Sequence, residues 1–262
     1  MIDIQNISKR FGKLQALDSV TATFNEGQAI SLIGPNGSGK TTLIKSLLGM
    51  VIPDSGTLRF KGTDVTTSCD YRSDIGYMPQ IGRYPDNMRI SQIFDMMIDL
   101  RKKHGSKLDE ELLNAFDLKK QFDKPMRTLS GGTIQKVSAC LAFLFDPSVL
   151  VLDEPTAGLD PVASEILKAK VLKEKSKGKL ILMTSHILSD LEDIITDVMY
   201  LQDGKLQFFK PVEALKAATN ETRLARAIAA VMTEGVRFQM NGHIKNLPQV
   251  PNLRQVEVET KI

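Results

Sequence analysis

The segment Gly34–Thr41 places the strongest constraint on what this chain can fold into. Its first glycine is followed by four residues and then by Gly39, Lys40 and Thr41, and the segment lies between an apolar run at 29–33 and a helical pattern at 41–49. Glycines in such a turn let successive backbone N–H groups point into one concavity that binds phosphate oxygens, and the following helix adds its partial positive charge. The segment therefore predicts a Walker A phosphate loop in an α/β fold.

The phosphate loop predicts a role for each of its polar residues. Lys40 would bind the β- and γ-phosphates of a nucleotide, and the Thr41 hydroxyl would bind Mg²⁺, a small hard cation that prefers oxygen ligands. The alternative is a glycine-rich turn that carries a lysine by chance, and the strand and helix patterns on either side argue against it. The predicted nucleotide contacts in this segment are Gly34, Pro35, Asn36, Gly37, Ser38, Gly39, Lys40, Thr41 and Thr42.

A second candidate element is the apolar run 149–152, which ends in two adjacent carboxylates, Asp153 and Glu154. A buried strand brings such groups to the carboxyl edge of a sheet, where α/β proteins bind ligands. Asp153 fits a holder of Mg²⁺, and Glu154 fits the group that orients and polarises an attacking water. The alternative is that the two acids cap the next helix.

The remaining pattern predicts how the chain is organised. Short apolar runs alternate with helical patterns, which is typical of a sheet with helices on both faces, and three N-terminal runs suggest an antiparallel layer beside it. We predict a main domain at 1–210, with a helical subdomain at about 84–145, and an accessory tail at 211–262. The expected strands are 29–33, 148–152 and 180–184, the layer is 2–7, 17–24 and 56–60, and the expected helices are 41–49, 90–104, 109–116, 131–145, 161–175, 187–196 and, in the tail, 211–230.

Composition narrows the class of protein further. Thirty-four basic residues are interspersed with thirty-one acidic ones, so charge does not indicate nucleic acid as a partner. The two cysteines lack metal-ligand spacing and suit a reducing compartment. No export signal is visible, and every apolar stretch is far shorter than the roughly 20 residues that cross a bilayer. A cytoplasmic protein that acts at a membrane only through a partner is expected.

Residues 129–135 read LSGGTIQ, which resembles the LSGGQ signature of ABC ATPases, and the similarity extends over about residues 2–210. Ser130, Gly131 and Gly132 would begin the helix at 131–145 and offer a second helix N-terminus to an anion, although an ordinary helix cap is the alternative. The resemblance implies a P-loop NTPase fold of the ABC type, with a mixed central sheet, an antiparallel β layer and a helical signature subdomain. It also implies a head-to-tail homodimer, in which the signature of one subunit closes over the ATP and Mg²⁺ held by the other.

Other positions match the same family residue by residue. Gln80 resembles the Q-loop glutamine, which reaches Mg²⁺ and the water, and His186 resembles the switch histidine that contacts the γ-phosphate. Asp160 resembles the D-loop aspartate at the dimer interface, and it is also a plausible N-cap before a proline. Phe11 occupies the place of the aromatic residue that stacks on adenine. Thr133 departs from the family, because Gln, Glu or Met is more usual there.

Two classes of function follow from this resemblance. The first is the ATPase subunit of a transporter, bound to a separate membrane permease at the cytoplasmic face of the inner membrane; the second is a soluble ABC ATPase that assembles or remodels a macromolecular complex. The chain has neither a long coiled coil between its Walker motifs nor two ATPase halves, which favours the transporter. Residues 84–90 before an apolar helix look like ABC-2 type exporter subunits, and most like the ATPase of nitrous-oxide reductase maturation.

Overall fold

A computed structural model describes residues 1–101, 108–184 and 192–234 of the chain. These residues form ten strands, seven α-helices and short 3₁₀ turns. Residues 185–191 and 235–262 lie outside the described part, and with them His186 and the start of the helix expected at 187–196.

The N-terminal part forms a four-stranded sheet with the order β2-β1-β4-β5. Its strands are β1 (Ile2–Phe11), β2 (Leu14–Phe24), β4 (Ser55–Phe60) and β5 (Thr63–Asp64). β1 pairs antiparallel with both β2 and β4, and β4 pairs antiparallel with β5. The antiparallel layer predicted from the alternating apolar residues is therefore confirmed.

The second sheet has six strands in the order β10-β9-β3-β8-β7-β6. Its inner strands pair in parallel, as buried apolar runs in an α/β protein do. β9 and β10 are joined by Asp203 and Gly204, both at positive φ, the conformation of a type I′ hairpin turn. The strands are β3 (Ala29–Ile33), β6 (Ile75–Met78), β7 (Val149–Asp153), β8 (Leu180–Thr184), β9 (Asp197–Gln202) and β10 (Lys205–Pro211).

Helices lie between the strands at most of the positions that the periodicity predicts, with ends that differ by a few residues. The helix expected at 187–196 is an exception, because its described part, residues 192–196, is not helical. The signature helix, α4, begins at Gly131 as expected. The helices are α1 (Lys40–Leu47), α2 (Ile90–Arg101), α3 (Glu111–Ala115), α4 (Gly131–Phe143), α5 (Pro161–Ser176), α6 (Val212–Thr219) and α7 (Leu224–Glu234).

One hydrophobic core joins the two sheets around α1. The buried side chains of Leu43, Ile44 and Leu47 on this helix belong to the same cluster as residues of β1, β2, β3, β4, β7, β8 and β9. Burying a large aliphatic side chain contributes roughly 1.5–3 kcal/mol, so this face holds the start of α1 firmly against the sheets. The phosphate loop that precedes α1 is thereby anchored at both ends, by β3 and by α1.

The chain divides into two compact units, Met1–Phe209 and Lys210–Ile262. Within the described part of the second unit, α6 packs against α7. The helical pattern at 211–230 is thus two helices, because Asn220 adopts a left-handed conformation (φ 57°) that ends α6. Residues 236–240 and 256–259 alternate in sequence as half-buried strands do, but both segments fall outside the described residues. Within the parts that are described, we find no helix with both the length and the apolar character needed to cross a membrane.

Candidate nucleotide-binding site

The phosphate loop connects β3, whose five residues are all buried, to the first turn of α1. Gly34 approaches the main chain of β9 so closely that a Cβ atom would lie 2.1 Å from the Leu201 carbonyl oxygen. Gly39 has φ +103°, and a Cβ there would lie 2.4 Å from the Ala16 carbonyl oxygen. Both glycines are therefore required by close backbone contacts, in addition to any contact with a phosphate.

Lys40 is the first residue of α1, and its side chain turns back over the loop. Its Nζ donates hydrogen bonds to the carbonyl oxygens of Gly34 at 2.7 Å and Pro35 at 3.0 Å. Burial lowers the pKa of Lys40, while the charges of Glu154 and Asp153 act in the opposite direction. The ammonium group thus lies within the phosphate loop, close enough to Asp153 and Glu154 to be affected by their negative charges.

A cleft of about 410 Å³ opens at this loop. Residues from four separate motifs line it, so the structure brings together the aromatic position, the phosphate loop, the glutamine and both acids. Its lining residues are Phe11, Leu14, Ala16, Asn36, Gly37, Ser38, Gly39, Lys40, Thr41, Thr42, Gln80, Asp153, Glu154 and Thr184. For three of these residues, Leu14, Ala16 and Thr184, the sequence predicted no part in the site.

Thr184 organises the two acids at the carboxyl end of β7. Its hydroxyl donates to Asp153 Oδ1 at 2.5 Å, and it accepts a 3.1 Å hydrogen bond from the Glu154 N–H. Glu154 has φ 52°, a left-handed conformation that is uncommon for a residue with a side chain. The chain thus turns sharply after Asp153, and both carboxylates stay beside the cleft. Thr184 directly precedes Ser185 and His186. Its place next to the predicted switch histidine is the one sequence feature that could have indicated that it belongs to the site.

The outer end of the cleft is built by the β1–β2 hairpin. Phe11 is 49% exposed, its Cα pairs with that of Leu14 across the hairpin, and Lys9 Nζ lies 5.6 Å from the centre of its ring. A large aromatic face left open to solvent suits stacking on a flat heterocycle. Leu14 and Ala16 extend this apolar rim. The alternation of apolar and polar residues along β2 does not by itself mark these two as site residues.

The signature segment forms the N-terminus of α4. Ser130 is the N-cap, and its Oγ accepts a hydrogen bond from the Thr133 N–H at 3.2 Å. At Gly132 a Cβ would lie 2.8 Å from the Gly158 carbonyl oxygen, whereas at Gly131 it would meet no atom within 4 Å. The two glycines therefore differ, because only the second is in close contact with residues 157–160 of the same chain, the segment that resembles the D-loop.

Asp160 caps α5 and connects it to the signature helix. Its Oδ1 accepts from the Ala163 N–H at 2.9 Å, and its Oδ2 lies 2.7 Å from Lys136 Nζ on α4. The Lys136 ammonium and the Ala163 N–H hold the pKa of Asp160 below its usual value. Neither Asp160 nor Ser130, Gly131 and Gly132 lines the cleft of their own chain.

Gln80 follows β6, at the same edge of the sheet as Asp153. Gly82 lies against α4, where a Cβ would come within 2.3 Å of Ser138 Oγ, and the Tyr84 hydroxyl is 2.9 Å from the same oxygen. The segment after Gln80 is therefore held against the signature helix. Ile81, between Gln80 and Gly82 in the sequence, has a side chain that is 68% exposed.

The donor set of the cleft suits a hard divalent cation. Thr41 offers a hydroxyl, Gln80 an amide oxygen and Asp153 a carboxylate, and all three line the cleft next to the phosphate loop. Such oxygen donors, with waters and phosphate oxygens, are the ligands that Mg²⁺ prefers.

The parallel sheet and the phosphate loop between β3 and α1 define the class of P-loop ATPases. A family model described as "ABC transporter" matches residues 17–157. The Nod factor export ATP-binding protein I of Ralstonia nicotianae is 32% identical over 220 residues, which is 82% of this chain and 68% of that protein. The ABC transporter ATP-binding protein YtrB of Bacillus subtilis is 31% identical over 217 residues, covering 82% of this chain and 74% of that protein.

The chain therefore belongs to the ABC transporter family, as an ATP-binding subunit with ATPase activity. Solved structures show the same fold. An ATP-binding subunit of an ABC transporter superposes with a TM-score of 0.80 at 24% identity, covering 88% of this chain and 99% of that one. A nucleotide-free ATP-binding cassette superposes with a TM-score of 0.70 at 26% identity, covering 87% and 98%. The family and the fold predicted from the motifs are confirmed.

Proposed function

We propose that two copies of this chain close head to tail on two MgATP and so drive a separate membrane permease. The observation that carries the proposal is the division of the site: the phosphate loop, Gln80, Asp153 and Glu154 share one cleft, while Ser130 and the start of α4 do not line it. A second helix N-terminus oriented towards a γ-phosphate must then come from another copy. This arrangement makes each ATP a bridge between subunits.

Within each site the residues have distinct proposed roles. Phe11 stacks on adenine, the loop N–H groups and Lys40 bind the phosphates, and the proposed cation held by Thr41, Gln80 and Asp153 would neutralise charge on the β- and γ-phosphates. Glu154 accepts a hydrogen bond from the water that attacks the γ-phosphate, and Thr184 keeps its backbone in place. His186, outside the described residues, is proposed to contact the γ-phosphate from the loop after β8.

The permease is proposed to be of the ABC-2 exporter type. Two relatives carry names of transporter ATP-binding proteins, and one of these names refers to Nod factor export. The apolar side chain of Ile81, exposed directly after Gln80, offers a contact for a membrane partner at the point where the loop meets the nucleotide. The chain would then lie at the cytoplasmic face of the membrane, and the permease would select the substrate.

The dimer is tested with Glu154→Gln, which should keep ATP binding, lose turnover and accumulate a dimer in MgATP. Sedimentation velocity with and without MgATP measures it. Adding Ser130→Arg to the same chain should leave ATP binding intact and prevent the dimer, because the arginine would occupy the space of the partner's phosphate. If Glu154→Gln still hydrolyses ATP, Glu154 is not the residue that positions the attacking water. Normal ATPase activity of Ser130→Arg alone would indicate a monomeric enzyme.

The permease is tested by purifying the tagged chain from gently solubilised native membranes and sequencing the proteins that elute with it. A stoichiometric polytopic membrane protein would support the transporter. Recovery of only soluble assembly factors would instead indicate an ABC ATPase that remodels a complex.

A further inference from the structure

The signature of this chain contains a hydroxyl pair that the usual family sequence does not. Thr133 Oγ1 lies 2.9 Å from Ser130 Oγ, the atom that also accepts the Thr133 N–H. Gln, Glu or Met at this position would carry no polar atom at the γ position. The residue that departs from the family pattern, Thr133, is therefore hydrogen-bonded to the serine that is proposed to contact the nucleotide.

The geometry limits where the Ser130 proton can point. A serine hydroxyl has one proton and two lone pairs. One lone pair is used by the Thr133 N–H. When the Thr133 hydroxyl donates to the second lone pair, both are occupied and the Ser130 proton is free to point away from the helix. A hydroxyl that accepts hydrogen bonds is also a stronger donor, because a chain of hydrogen bonds polarises its members.

We propose that Thr133 is a positioning residue for Ser130: its hydroxyl donates to Ser130 Oγ and so directs the Ser130 proton to the phosphate held by the other copy. The inference rests on the head-to-tail dimer proposed above. Before closure the hydrogen bond between the two hydroxyls can run in either direction. Phosphate binding selects the one in which Thr133 donates.

The test uses the Glu154→Gln chain and measures the ATP concentration that gives half-maximal dimer. Adding Thr133→Val removes the hydroxyl, keeps the shape and leaves the N–H cap of Ser130 in place. We expect about five times more ATP to be needed, the effect of one net hydrogen bond. Thr133→Ser should restore the dimer. Thr219→Val is the matched control, because it removes a helix hydroxyl that bonds the Leu215 carbonyl far along the chain from the signature.

Two further measurements separate positioning from a structural role. The melting temperature and the affinity of the monomer for ATP should be the same in Thr133→Val as in the parent chain. A parent Glu154→Gln chain that forms no dimer with MgATP would overturn the proposed function and this inference with it. If the parent dimerises and Thr133→Val needs no more ATP, or Thr133→Ser is impaired as much, only the role of Thr133 is overturned.

Discussion

The hydroxyl of Thr184 lies 2.5 Å from Asp153 Oδ1 and accepts the N–H of Glu154, so one side chain at the end of β8 orders both acids at the end of β7. Thr184 is buried. The parallel register places Asp153 directly opposite Thr184. The position of the proposed catalytic acid thus depends on a neighbouring strand.

Replacing Thr184 by valine should lower kcat about tenfold, because the Asp153 carboxylate loses a donor and the Glu154 N–H loses its acceptor. Nucleotide affinity should change by less than about threefold, since the phosphate loop is untouched. Steady-state ATPase kinetics and nucleotide titration measure the two effects. Thr184→Ser, which keeps the hydroxyl, should retain much more of kcat; equal losses in both variants would contradict the role of the hydrogen bonds.

Replacing Lys40 by alanine should weaken ATP binding by about 100-fold, because the phosphates lose their charged partner in the loop. Isothermal titration calorimetry measures the change. Lys45→Ala, an exposed lysine in the last turn of the same helix, is the matched control and should bind ATP normally. Equal affinities of the two variants would argue against the phosphate-loop assignment.

The two signature glycines should respond oppositely to alanine in thermal unfolding. Gly132→Ala places a Cβ 2.8 Å from the Gly158 carbonyl oxygen and should cost about 1–3 kcal/mol of stability through overpacking. Gly131→Ala meets no atom and should stabilise the helix by up to about 1 kcal/mol. Similar melting temperatures for the two variants would show that the contact between α4 and the D-loop is not rigid.

A buried ion network connects α3, α5 and the start of β8. Lys170 Nζ lies 2.5 Å from Asp109, 2.8 Å from Glu111 and 3.0 Å from Glu174, whose carboxylate also lies 2.5 Å from Lys179. The side chains of Lys170 and Glu174 are almost completely buried. Such a network is sensitive to the loss of any one member, because a buried charge is then left unpaired.

Lys170→Met should therefore lower the free energy of unfolding by about 3–5 kcal/mol. Lys168→Met, on the same helix and in a pair with the exposed Glu165, should cost less than about 1 kcal/mol. Urea denaturation measures both. A small loss in Lys170→Met would mean that the carboxylates find other partners.

The same network predicts acid sensitivity. Burial acts to raise the pKa of Glu174, but hydrogen bonds from Lys177, Lys179 and Lys170 outweigh it and lower the pKa to about 2. A lowered pKa contributes stability above the unfolded value, near 4.5, and this contribution is lost as pH falls from there towards 2. Unfolding free energy measured across that range should fall less steeply in Glu174→Gln than in the parent chain.

Much of the fold could be predicted from local patterns, and the exceptions have physical causes. β6 was not predicted, because its four residues include Gly76, a weak strand former. A Cβ at Gly76 would lie 2.0 Å from the Ala142 carbonyl oxygen of α4. The glycine therefore reflects a helix packed closely on the strand, which no local periodicity reveals.

The sequence by itself determined the motifs whose chemistry is local: the phosphate loop, the Asp153 and Glu154 pair and the Ser130 cap depend on residue types within a few positions of one another. Tertiary structure alone decided which other side chains meet them. Leu14, Ala16 and Thr184 enter the cleft through hairpin pairing and through the register of β7 with β8. Those contacts join residues distant along the chain, and burial of the shared core, not local propensity, brings them together.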